Sequence, residues 1–91
     1  MYIIRFTATW CADCIVMRSV WNKWLTAIPL VKIIDYDFDD NDDLAREYKV
    51  KTLPLVMIFD QDNKLVARLE GMQDLDTLKA LTNESKSYEI K

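Results

Sequence analysis

Cys11 and Cys14 are the only cysteines in a chain of 91 residues without histidine, and they stand three apart in Trp10-Cys11-Ala12-Asp13-Cys14. A bridge at that spacing closes too short a loop to stabilise a fold by restricting the unfolded chain, so reactivity is the better reason for the pair. Zinc is one alternative, but a structural site wants four ligands and this chain offers two thiolates, so the ion would have to be shared with a second copy. Two inert core thiols are another, because free cysteine is often simply buried. The missing histidine removes every Ser-His and Cys-His catalytic pair. Exchange between a dithiol and a disulfide is the chemistry the spacing serves best, and it requires no cofactor and no metal.

The elements around the pair agree with that use. Tyr2 to Thr7 is rich in β-branched and aromatic residues and predicts a strand ending just before the motif. From Cys14 the apolar positions Met17, Trp21, Trp24, Leu25 and Ile28 follow at spacings of three and four until Pro29, which predicts a helix opening at Cys11. Free backbone N–H groups and the positive end of the helix dipole favour a thiolate there, so Cys11 is the expected nucleophile. Cys14 lies on the apolar stripe one turn further in, placed to attack a mixed disulfide formed at Cys11, and is the expected resolving thiol. Trp21 and Trp24 share that stripe and are expected in the core.

Val31 to Tyr36 predicts a second strand, parallel to the first across the helix. The acidic run Asp37 to Asp43 leads into a short helix over Leu44, Ala45, Tyr48 and Val50, with Asp42 or Asp43 suited to its cap or first turn. As a calcium loop starting at Asp35 the run fails, having Asp40 where glycine and Arg46 where glutamate is required. Leu55 to Asp60 and Leu65 to Glu70 predict an antiparallel hairpin around the polar turn 60–64, and Asp74 or Asp76 starts a last helix carrying Leu75, Leu78 and Leu81. One domain over 1–91 is expected, with 83–91 a polar tail. With 15 acidic against 12 basic residues the net charge is −3, so nucleic acid is not an expected partner. No apolar run approaches the ~20 residues that span a bilayer and no signal peptide is legible, so no membrane association is expected.

Together these residues resemble the thioredoxin superfamily: a strand, Ala8-Thr9-Trp10-Cys11-Ala12-Asp13-Cys14 opening a helix, and Lys51-Thr52-Leu53-Pro54 before an apolar strand, with Pro54 forty residues after Cys14. The resemblance implies an α/β thioredoxin-like fold, a four-stranded mixed sheet in the order β-α-β-α-β-β-α flanked by three helices. It implies a cis Leu53-Pro54 bond beside the redox pair. Trp10, Leu53, Pro54 and Gly71 would then shape a substrate groove, with Leu53's backbone open to a substrate strand. Of the family, this chain is similar to the minimal, glutaredoxin-sized core, although it has Glu70-Gly71-Met72-Gln73-Asp74 where glutaredoxins carry a glycine pair for glutathione. That core leaves Val31 to Tyr36 at a sheet edge, guarded by Lys32 and Asp35.

One departure concerns Arg5, six residues before Cys11, where thioredoxins usually carry a buried acid. Its guanidinium either stabilises a thiolate or pairs with an acid on a neighbouring strand. Asp13 acts oppositely, since a carboxylate beside the pair penalises the thiolate and makes the disulfide harder to reduce. The expected function is therefore a cytoplasmic, monomeric protein-disulfide reductase serving electron transport and redox homeostasis. It would act on protein disulfides and be recharged by a reductase of the thioredoxin reductase type or by glutathione. A glutaredoxin-like donor recharged by glutathione and a redox-inert binding domain of the same fold are the alternatives.

Overall fold

Strand residues point alternately to opposite faces, and the central segments of this chain are apolar on both. The computed structural model describes residues 1–28 and 30–90, the side chains of 83–90 excepted; the backbone of 83–90, expected as part of a polar tail, is helical. In chain order the elements are β1 (Tyr2–Thr7), α1 (Ala12–Ala27), β2 (Lys32–Asp37), α2 (Asp42–Glu47), β3 (Leu55–Phe59), β4 (Leu65–Glu70) and α3 (Leu75–Ile90). The strands form one sheet in the order β2-β1-β3-β4. β1 runs parallel to β2 and antiparallel to β3, and β3 is antiparallel to β4. This is the expected thioredoxin-like arrangement.

Ile3, Val56 and Ile58 face one side, where they meet Met17, Trp21 and Trp24 of α1 and Leu78 of α3. Ile4, Phe6, Leu55 and Met57 face the other and pack on Ala45 of α2. The two core tryptophans differ in polar satisfaction. Trp24 Nε1 donates to the buried Thr82 hydroxyl at 3.2 Å, whereas Trp21 Nε1 has no hydrogen-bond partner among the described residues.

The ends of the helices show how local chemistry sets boundaries. Neither Asp42 nor Asp43 caps α2; both lie in its first turn, and the cap residue is Asn41, whose side chain donates to the Asp37 carbonyl instead. The helix stops short of Val50. Val50 N–H donates to the Ala45 carbonyl and Lys49 N–H to that of Arg46, a paired closure that holds Lys49 at φ 55°. In the hairpin turn Asp60 Oδ1 accepts the amides of Asp62 and Lys64, and Asn63 takes φ 63°, a conformation asparagine tolerates.

At the start of α3, Asp74 Oδ1 accepts the Thr77 amide at 2.8 Å. Those hydrogen bonds from Thr77 hold the Asp74 carboxyl below the ordinary 3.8, so its stabilisation is present above that pH and is lost as pH falls through the lowered folded value. Asp74→Ala is therefore expected to melt below the wild type at neutral pH, with the difference closing on acidification below pH 3.8. Thermal unfolding followed by circular dichroism at several pH values checks this, and equal melting temperatures at neutral pH would overturn the cap.

Candidate redox site

β1 ends at Thr7, and the turn that follows places Cys11 at the N-cap of α1, with its amide bonded to the Ala8 carbonyl at 3.2 Å. Cys11 has extended backbone angles (φ −83°, ψ 107°), and its sulfur accepts the Cys14 amide at 3.1 Å. That is the bond a serine or aspartate cap makes through oxygen. A sulfur so placed faces the unsatisfied N–H groups of the helix start, which stabilise negative charge on it. Cys11 and Cys14 are joined in a disulfide with their Cα atoms 5.3 Å apart.

Both cysteines are buried. Cys11 is 6% and Cys14 4% exposed, and together with Ala8 they pack against Phe38 and Leu53. What separates the two cysteines is the opening each one lines. Cys11 borders a groove of about 420 Å³ formed by Trp10, Asp13, Phe38, Lys51, Thr52 and Leu53. Cys14 borders a cleft of about 320 Å³ on the other side, shared with Arg5, Thr7, Arg18, Trp21 and Asp35.

Of the residues expected to shape the groove, Trp10 and Leu53 line it. Trp10 is 63% exposed, stands edge-on to Phe38 with ring centroids 6.2 Å apart, and donates Nε1–H to Asp39 at 2.8 Å. Pro54 and Gly71 do not line it. Pro54 follows a cis peptide bond and is fully buried, and its carbonyl accepts the Gly71 amide at 2.9 Å. Gly71 takes φ +79°, a left-handed conformation, while a Cβ there would meet Thr52 Cγ2 at an ordinary 3.7 Å. Backbone conformation, more than lack of space, accounts for the glycine.

The two expected modulators sit on opposite sides, Asp13 on the groove and Arg5 in the cleft. Arg5 pairs with an acid on the neighbouring strand: Nε and Nη2 bond the two carboxylate oxygens of Asp35, its partner in the β1–β2 register. Its Cζ also lies 4.8 Å from the Trp21 ring centroid. Sequence reasoning missed Phe38 and Asp39. The available signal was their position just beyond the carboxyl end of β2, where parallel strands present ligand-binding residues. The bond from Phe38 N–H to the Thr7 carbonyl, at 2.8 Å, brings that segment beside the motif.

A helix-capping cysteine bridged to a second one turn on and packed against Leu53, whose bond to the proline at the head of a core strand is cis, defines a dithiol–disulfide exchange site. The sequence profile of thioredoxin matches residues 1–84, and the chain belongs to the thioredoxin family. It is 32% identical over 78 residues to the thioredoxin of Chlamydia trachomatis, covering 86% of this chain and 76% of that one. Among solved structures, oxidised mitochondrial thioredoxin 3 of Saccharomyces cerevisiae superposes with a TM-score of 0.74 at 29% identity, covering 94% of this chain and 76% of that one. Thioredoxin 1 of Thermosipho africanus shares the fold at a TM-score of 0.85 and 19% identity, covering 100% of both chains. Members of the family are protein-disulfide oxidoreductases, and this chain is a thiol–disulfide oxidoreductase.

Asp39→Ala is expected to release the Trp10 ring without unfolding the site. The Trp10 Nε1–H resonance should shift and exchange faster with water, while stability falls by about 1 kcal/mol or less, as for an exposed hydrogen bond. An unchanged resonance would rule out the bond.

Proposed function

We propose that the chain works as a reductase, in which the Cys11 thiolate attacks a substrate disulfide and Cys14 resolves the mixed disulfide. In the first step the Cys11 sulfur bonds one substrate sulfur and the other leaves as a thiolate. In the second, Cys14 displaces the remaining substrate thiolate and the Cys11–Cys14 bond closes. The substrate gains two electrons and two protons, and the dithiol loses them. The observation that carries the assignment is the position of Cys11, which caps α1 through its sulfur and lines the groove.

The groove supports an extended, disulfide-bearing segment of a partner protein, with Trp10 as its flat apolar wall and Leu53 at its base. Pro54 and Gly71 act on it indirectly, by setting the path of the chain at Thr52 and Leu53. The Asp13 carboxylate in the first turn of α1 favours the reducing direction, because it opposes charge on the thiolate. An external reductase of the thioredoxin reductase type, or glutathione, restores the dithiol. In this role the protein is a monomeric electron carrier of the reducing cytoplasm. No helix among the described residues is long and apolar enough to cross a membrane.

Cys14→Ser is expected to retain attack but lose resolution. Turnover with insulin as the disulfide probe should fall by about a hundredfold or more, and mixed disulfides at Cys11 should persist. Cys11→Ser should form none. Mass spectrometry of the trapped adducts checks this, and adducts at Cys14 in place of Cys11 would reverse the roles. A potential at or above about −180 mV, that of protein disulfide isomerase, would overturn the reducing direction.

A further inference from the structure

Resolution requires Cys14 to lose a proton, and its surroundings restrict where that proton goes. Ala8, Phe38 and Leu53 cover the disulfide with apolar atoms, and the chain has no histidine. The polar side of Cys14 is the cleft, whose charged groups are Arg5 of β1, Arg18 of α1, and Asp35 and Asp37 of β2. Asp13 and Lys51 face the groove instead. Asp37 Oδ1 already accepts the amides of Asp39 and Asp40. Arg18 stands one helical turn from Cys14 on an exposed face, where water screens it.

Arg5 is the charge held inside. Its side chain is 17% exposed, clamped by two hydrogen bonds from one side and laid over Trp21 from the other. Asp35, its partner, is 56% exposed at the sheet edge. Water therefore screens the carboxylate more than the guanidinium, and the pair is not neutral as felt from within the cleft.

We propose that the cleft is the proton exit of Cys14 and that Arg5, its charge partly offset by Asp35, stabilises the Cys14 thiolate and thereby sets the reduction potential of the pair. The inference rests on Cys14 as the resolving thiol. As Cys14 attacks, its proton leaves through the cleft to solvent, the Cys11–Cys14 bond forms, the bond from Cys11 to the substrate sulfur breaks, and the substrate thiolate takes a proton from water. Arg5 is a positioning residue here, acting through the acidity of Cys14 without touching the substrate.

Arg5→Met and Asp35→Asn in the full chain separate this role from a structural one, because they change the cleft's charge in opposite senses. Equilibrated in glutathione redox buffers, Arg5→Met should favour the disulfide by about tenfold, a potential about 30 mV more negative. Asp35→Asn should shift it the other way. In a Cys11→Ser background the Cys14 thiolate absorbance should titrate at higher pH with Arg5→Met and at lower pH with Asp35→Asn. A structural role would lower both melting temperatures and leave no opposed shifts. Shifts of the same sign, or none, overturn the proposal. If Arg5→Met does not fold, Asp35→Asn and the charge-preserving Arg5→Lys decide it: a lowered titration in the first and a near wild-type potential in the second support it, and other outcomes overturn it. A wild type inactive on insulin yet showing the opposed shifts would sink the reductase reading and leave this one standing.

Discussion

A strand buried on both faces is fixed in depth and in register, because a slip of one residue would exchange its two apolar faces, and β1 is such a strand. Ile3 is locked under α1 and α3, while Ile4 and Phe6 are locked over α2, so the chain leaves the sheet at Thr7 at a defined height. The turn from there to Cys11 has little freedom, and the helix start arrives where the Leu53-Pro54 segment passes. The capping bond from the Cys14 amide to the Cys11 sulfur follows from this placement. So does the parallel neighbour β2, which brings Asp35 beside Arg5 and Phe38 beside the motif.

That geometry divides the environment of one disulfide between two chemistries. The groove side is broad and partly aromatic, with Asp13 as its acidic element and Lys51 as its basic one. The cleft side is narrower and charged, with an arginine anchored between an acid and an indole. A reaction that passes bonds between two sulfurs needs each at a different moment as nucleophile or leaving group, and different surroundings serve those roles better than shared ones. Near-equal burial of the two cysteines makes the surroundings, not the exposure, the source of the asymmetry.

Much of this was legible from residue patterns. The β-branched and aromatic run before the motif located β1, the three-and-four spacing after it located α1, and the apolar run after Pro54 located β3. The periods of strands and helices are written in side-chain polarity, so residue types alone carry them. The fate of Arg5 was not legible, because a guanidinium on a strand meets whatever the neighbouring register supplies, and that register depends on the length of the crossover. Pro54 and Gly71 were expected to shape the groove directly; Pro54 is buried and Gly71 half-buried, and they are tied to each other by a backbone bond that leaves no trace in residue type. Trp10 was expected beside Cys11, yet its anchor Asp39 belonged to an acidic run that reads from sequence as a solvated loop.

The chain's one glycine stands beside Pro54, and the left-handed turn that closes α2 is made by a lysine. An L side chain in that conformation costs roughly 1–2 kcal/mol over the right-handed one, a cost glycine does not carry. The closing turn is joined to the sheet by a bond from Arg68 to the Lys49 carbonyl, on the backbone alone, and contacts neither sulfur. Position 49 is thus a reserve of robustness, where drift or design is free to raise the stability of the scaffold while the redox chemistry stays as it is.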